Sequence, residues 1–324
     1  MLNDVEVATL DPRRFGAVLG PDACGDFLRR LERAAERLRG RRLWHLNSTE
    51  EGGGVAEMLH FLLGYLAGAG IDAHWLVLDG NDRFFQVTKR VHNLLHGQPG
   101  DHDALGDPDR EVYERTLAQA FGELRRLVEP GDAVLLHDPQ TAALVPSLKR
   151  LGAGVVWSCH VGIDRPNRLA RTAWDFLRPY VQPADAYVFS RHVYAWEGLD
   201  RDRLAVVPPC IDVFAPKNQP LDGDRVTAIL AAAGIVDADG AGAGEPAFHR
   251  LDGGLGRVER QAELIQDHSL PASAPIVLQV SRWDRLKDPS GVLEGFARHV
   301  PGELGAHLVL AGPAADAVSD DPEG

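Results

Sequence analysis

Four short stretches of the chain carry side chains that could meet a small anionic or hydroxylated ligand. The first is Asn47-Ser-Thr-Glu-Glu-Gly52-Gly53-Gly54. Glycines allow a ligand to come close to the backbone, and a helix starting behind them offers unpaired N–H groups and a positive dipole end to phosphate or sugar oxygens. The stretch is neither the GxGxxG fingerprint nor a P-loop, because the P-loop lysine is missing. The same three glycines would also build a plain tight turn. The second stretch is Leu135-Leu-His137-Asp138-Pro139-Gln140, and the third is Val155-Val-Trp-Ser-Cys-His160-Val-Gly-Ile-Asp164. A single histidine can be a structural hydrogen-bonder or a site residue. Polar clusters at equivalent strand ends favour the site, and make His160 and Asp138 the candidate catalytic pair. The fourth is Gln279-Val-Ser281-Arg282-Trp-Asp284-Arg285-Leu-Lys287-Asp288. There Arg282 as a planar fork and Lys287 as a point charge would suit a diphosphate. The competing reading is a pair of surface cations beside Asp284 and Asp288, worth little in stability.

These stretches need a scaffold, and the hydrophobic pattern supplies one. Apolar runs at Leu43–Leu46, His74–Leu78, Ala133–Leu136, Gly154–Trp157, Ala186–Phe189 and Leu204–Val207 read as strands. Helical patterns fall between them at Val55–Leu66, Glu111–Val128, Ala142–Leu151 and Leu169–Val181. Alternating strands and helices predict a parallel, doubly wound, Rossmann-like sheet. In such sheets ligands bind outside the carboxyl ends of the strands, which is where the second and third stretches fall. Val55, Met58, Leu59, Leu62, Leu63 and Leu66 form a helical stripe that reads as core.

The fold class expected is α/β, with a Rossmann-like N-terminal domain and part of a second Rossmann-like domain. Residues 1–40 read as a lead-in with a surface helix, 41–215 as the first domain, 216–271 as a linker region and 272–324 as the start of the second domain. The linker reading rests on the prolines from Pro208 to Pro220 and on the Gly/Ala/Asp-rich run Ala238–Glu245. The second unit shows only a β-α-β pattern, over Ile276–Val280, Gly291–Val300 and His307–Ala311. Its roughly 50 residues fall short of the ~100 that a Rossmann-like domain needs, so it is expected to be incomplete, with an open sheet edge that makes a homo-oligomer possible.

The net charge of -13 argues against nucleic acid as a general partner. No apolar run reaches the roughly 20 residues of a membrane span, and the N-terminus lacks a signal-peptide pattern. The three cysteines, Cys24, Cys159 and Cys210, are widely spaced, which fits free thiols and a cytoplasmic location better than a disulfide or zinc framework. No histidine cluster is visible in the sequence, and no metal and no cofactor are expected.

Taken together, these blocks resemble the trehalose-forming synthases of the GT4 glycosyltransferase group. The resemblance is carried in order by Leu43-Trp-His-Leu-Asn-Ser-Thr49 with Gly52-Gly-Gly-Val-Ala-Glu57, Trp75-Leu-Val-Leu, and Phe84-Phe-Gln-Val-Thr-Lys89 with His92-Asn93. It continues through His137-Asp-Pro-Gln140, Trp157-Ser-Cys-His160, Pro208-Pro-Cys-Ile-Asp212, and Ser281-Arg282-Trp-Asp284 with Lys287. It covers roughly residues 40–215 and 272–312. It implies a GT-B fold and a retaining glycosyltransferase that moves glucose from a nucleoside diphosphate glucose to glucose, giving α,α-trehalose. It further implies that Gly53 and Gly54 lie near donor and acceptor, that His160 contacts the transferred sugar, that Asp138 binds a sugar hydroxyl, and that Arg282 and Lys287 hold the donor diphosphate. The family's second domain continues to a glutamate-bearing loop that has no counterpart before Gly324.

Two other functions remain open from the sequence. A trehalose phosphorylase of the same structural group would use glucose 1-phosphate and phosphate. A non-catalytic sugar-binding module would bind glucose or trehalose without turnover.

Overall fold

The computed structural model describes residues 2–51, 53–99, 104–237 and 244–314. Contacts divide the chain into one unit comprising Met1–Cys210 and another comprising Ile211–Pro313.

The first unit opens with strand β1 (Leu2–Val5), a short turn of helix α1 (Gly16–Leu19) and helix α2 (Pro21–Arg37). Then come β2 (Leu43–Asn47), α3 (Gly54–Gly68), β3 (Ala73–Leu78), α4 (Asp82–Leu95), α5 (Asp107–Leu124) and β4 (Ala133–His137). The single turn α6 (Asp138–Thr141), α7 (Val145–Leu151), β5 (Gly154–Cys159), α8 (Arg168–Val181), β6 (Ala186–Phe189) and β7 (Leu204–Val206) complete it. The strand order is β1-β3-β2-β4-β5-β6-β7. From β3 to β7 the pairs are parallel, while β1 lies antiparallel on β3. The chain steps from β2 outward to β3, then crosses back to β4 on the other side of β2. That reversal is a topological switch point, and the crevice beside it is the ligand position of open α/β sheets.

The six apolar runs of the sequence all became strands. The strand β1 was not anticipated in the 1–40 lead-in, where α2 does form. Leu10 and its neighbours in that lead-in pack on α3, and Leu10 N–H donates to Gly64 O at 3.0 Å. A Cβ at Gly68 would lie 1.8 Å from Leu10 O and one at Gly64 2.8 Å from Ala8 O, so Gly64 and Gly68 of α3 let this segment come close. The helix α3 therefore buries more than one stripe. Leu59 and Leu63 meet Val5, Trp75 and Val77, while Phe61 and Tyr65 are buried as well.

The main core lies around β4, β5 and β6, with Trp157, Trp196, Tyr113, Tyr187, Phe84 and Phe189 fully buried. Helix α4 was not read from the sequence. Its N-terminus is capped by Asn81, which accepts from Phe84 N–H at 3.0 Å, and it buries Lys89 and Arg90 along with its apolar residues. Arg90 is satisfied by Asp109 at 2.9 Å, at the start of α5.

The second unit holds α9 (Gly223–Ala232), an antiparallel pair of β8 (Ala247–His249) with β9 (Leu255–Arg257), and a parallel pair of β10 (Ile276–Val280) with β11 (His307–Ala311). Helix α10 (Pro289–His299) connects the parallel pair, which is the expected β-α-β pattern. The region 216–271, read as a linker, thus carries a helix and a hairpin. Its stretch 238–243 and the terminal 315–324 lie outside the described residues. Among the described residues no helix is long and apolar enough to cross a membrane.

Candidate active site

Register places the polar residues before any side chain is considered. His45 pairs with Leu135 and Leu135 with Val156, while Asn47 pairs with Val77 and His137 with Ser158. Side chains two apart on a strand share a face. His45, Asn47, Trp75, His137 and Ser158 therefore lie on one face, at or near the carboxyl ends of β2, β3, β4 and β5. His160 follows β5 directly.

The histidines form a chain. His45 Nδ1 lies 3.0 Å from His137 Nε2, and His137 Nδ1 lies 3.1 Å from His160 Nε2. Ser158 Oγ is a second neighbour of His160 Nε2, at 3.2 Å. Burial pushes the His45 imidazole down to about 4. Burial, then the neighbouring His45 and His160, hold His137 well below the usual histidine range. Both inner rings are neutral near pH 7.

Asp138 sits in the left-handed region at φ 60, which is uncommon for a residue with a side chain. Several bonds hold it there. His160 N–H donates to Asp138 Oδ1 at 2.8 Å, and Trp157 Nε1–H donates to Asp138 O at 3.1 Å. Next along the turn, Tyr113 donates to Pro139 O, and Thr141 Oγ1–H donates to His137 O at 2.8 Å. Burial pushes the Asp138 carboxyl up, and His160, by its charge and its N–H, pulls it back part of the way. Gln140 Oε1 is buried without a hydrogen-bond partner among the described residues, an acceptor the protein alone leaves unsatisfied.

The glycine stretch opens α3. Gly53 is the residue before the helix, in extended conformation, and no side chain caps the helix end. A Cβ at Gly54 would meet nothing within 4 Å, and one at Gly53 only Thr49 Cγ2 at 3.9 Å. Gly52 lies outside the described residues. The loop ahead of the helix is anchored from the sheet. Trp75 Nε1–H donates to Asn47 Oδ1 at 2.8 Å, and Asn47 Nδ2–H donates to Thr49 O at 2.6 Å.

In the second unit, Arg282 Nη2 lies 3.6 Å from Asp284 Oδ2, and Asp284 is 1% exposed. Asp284 Oδ1 also accepts from Lys287 N–H at 3.1 Å. This carboxylate folds the loop after β10 so that Arg282 and Lys287 flank it. Lys287 is exposed, and no ion pair reaches its Nζ among the described residues.

His160, Asp138, Gly53 and Gly54 thus come from the loops that follow β2, β4 and β5, while Arg282 and Lys287 belong to the second unit. Sequence reasoning gave no role to His45, which sits inside an apolar run and appeared only as part of the block Leu43–Thr49. The histidine cluster that the sequence did not reveal is the chain His45–His137–His160. Its nitrogens point at one another and not at a shared centre.

Comparison with known proteins agrees with the fold. Residues 45–196 match the family described as "Trehalose synthase, N-terminal domain". The chain is 37% identical over 300 residues to the trehalose synthase of Rubrobacter xylanophilus, covering 91% of this chain and 61% of that protein. It is 33% identical over 297 residues to the trehalose synthase of Pyrococcus horikoshii, with 91% and 60% covered. It therefore spans about three fifths of the length of these curated relatives. A solved structure described as trehalose-6-phosphate from E. coli bound with UDP-2-fluoro glucose superposes with a TM-score of 0.52 at 13% identity, over 86% of this chain and 66% of that one. That likeness is one of fold, of the GT-B type. Over residues 45–196 the chain is similar to the N-terminal domain of trehalose synthases, and over about nine tenths of its length it is similar to the trehalose synthases themselves.

Proposed function

We propose that this chain is a retaining glycosyltransferase that moves glucose from a nucleoside diphosphate glucose to free glucose and forms trehalose. The observation that carries the reading is the gathering of Asp138, His160 and the open glycine start of α3 around the β2/β4 switch point. The trehalose synthases to which the chain is similar support the same class of reaction.

On this reading His160 contacts the transferred sugar and Asp138 accepts from a sugar hydroxyl. Gly53 and Gly54 offer backbone N–H groups to the substrate. Cleavage of the donor C–O bond builds positive charge on the sugar ring and negative charge on the leaving diphosphate. Arg282 and Lys287 stabilise the latter electrostatically. Two cations on the diphosphate take the role that a metal has in other transferases, so the reaction needs none.

The test is incubation with glucose and, separately, UDP-, ADP- and GDP-glucose, with trehalose and free nucleoside diphosphate as products. Trehalose formed in step with one nucleoside diphosphate is the expected result. Trehalose made only from glucose 1-phosphate, with release of phosphate, would replace the reading with the phosphorylase one. Saturable sugar binding without any product would replace it with a binding module.

A further inference from the structure

The three linked histidines have a property that none has alone. A neutral imidazole carries one N–H and one lone-pair nitrogen, so it can donate at one end only. If His45 donates from Nδ1, His137 must accept at Nε2, and being neutral it then carries its proton on Nδ1. His160 in turn accepts at Nε2 and carries its proton on Nδ1. If the chain runs the other way, all three protons sit on Nε2. The geometry supports real bonds at both steps. The separations are 3.0 and 3.1 Å, and the ring planes lie within 22° and 20° of each other. Ser158, whose hydroxyl can rotate to donate or accept, is compatible with either state. Among the described residues no hydrogen bond reaches His160 Nδ1.

We propose that His45 and His137 are positioning residues that fix the tautomer of His160, so that buried His45 decides whether His160 Nδ1 presents a proton or a lone pair to its ligand. The ligand, a sugar hydroxyl, rests on the function proposed above. The proton chain itself does not depend on it. A protonated His160 has only one option, because both its nitrogens then donate and the inner rings take the Nε2–H state. The outer ring is thus coupled to a side chain that it does not touch.

The experiment uses the full chain labelled with 15N-histidine, with His160→Asn for assignment. In the wild type we expect scalar couplings across both N–H···N bonds and ring shifts of His160 that report one tautomer. In His45→Phe the coupling from His137 to His160 persists, but the His160 nitrogens move toward the average of two tautomers. In His45→Asn, whose amide sits where Nδ1 sits, they return toward the wild-type pattern. On the sugar-transfer reading kcat falls about tenfold in His45→Phe and recovers in His45→Asn, as for groups that orient a functional histidine from behind. Absence of both couplings in the wild type overturns the proposal without any variant having to fold. So does a His160 tautomer that ignores His45→Phe. Couplings and a tautomer shift without trehalose formation sustain the histidine chain and reject the sugar-transfer reading instead.

Discussion

The backbone N–H of His160 donates to Asp138 Oδ1 at 2.8 Å, which ties the loop after β5 to the turn after β4. The bond needs Asp138 at φ 60, a conformation that Asn and Asp tolerate and alanine resists. Asp138→Ala loses a charge-assisted bond and gains backbone strain, an expected cost of about 2–3 kcal/mol. Asp138→Asn keeps an acceptor and the conformation, and should cost less than ~1 kcal/mol. Urea unfolding of the two variants measures the difference. Equal losses would mean that neither the acceptor nor the conformation matters.

Stability should depend on pH in a direction set by the buried histidines. His45 is held at about 4 when folded against 6.5 when unfolded. Between those values the unfolded chain binds the proton and the folded chain does not, so stability rises with pH across this window and falls as acid is added. Full burial makes the effect of His45 large, about 3 kcal/mol at its limit. His137, shifted in the same direction, adds to it. The raised Asp138 carboxyl works the other way, since the folded state then holds its proton longer, so from 3.8 upward it offsets part of the histidine effect. Melting curves from pH 7 down to about 4.5 should show a falling midpoint, and His45→Asn should flatten that fall. A slope unchanged in this variant would show that His45 is not held neutral.

The six parallel strands were legible as short apolar runs bounded by turns, fully buried in β2 and only partly so in β6 and β7. The strand β1 was not. Leu2-Asn-Asp-Val holds few apolar residues, and its pairing with β3 is a long-range contact that no local pattern announces. Helix α4 was hidden by Lys89 and Arg90, which read as surface residues but are buried, with Arg90 paired to Asp109 across a loop. The site divides in the same way. His137, Asp138 and His160 were legible as polar residues at strand ends. Their linkage to His45 depends on the register of β2 against β4, which sets side chains far apart in sequence on a common face.

Arg282 and Lys287 should separate when each is truncated. Lys287 is exposed, so Lys287→Ala should leave stability within ~0.5 kcal/mol. Arg282 lies against Asp284, which is buried, so Arg282→Ala also removes part of the compensation of a buried carboxylate and should destabilise. On the proposed function both variants weaken nucleoside diphosphate binding by about tenfold or more, with a loss of salt dependence in each. Calorimetric titration with UDP, ADP and GDP at two salt concentrations reads both effects. Unchanged affinity in both variants would assign the pair to the surface and remove it from the donor site.

Gly53 and Gly54 give the sharpest separation between turn and site. Neither has the positive φ that would require glycine, and a Cβ at either position meets no atom closer than 3.9 Å. Alanine at these positions is therefore free of strain and collision, and at Gly54, inside the helix, it gains helix propensity. Gly53→Ala and Gly54→Ala should melt within a few degrees of the wild type, the shift that a change of under about 1 kcal/mol produces in a domain of this size. If the open space at the start of α3 is where a substrate lies, the added methyl groups occupy it, and the KM for donor or glucose rises about tenfold while the fold is untouched. Kinetics and melting on the same samples decide the matter. Wild-type kinetics in both variants would leave the glycines as a plain turn and move the substrate away from this helix end. A raised KM with an unchanged melting point would place it there, since nothing in the protein itself needs these two residues to be glycine.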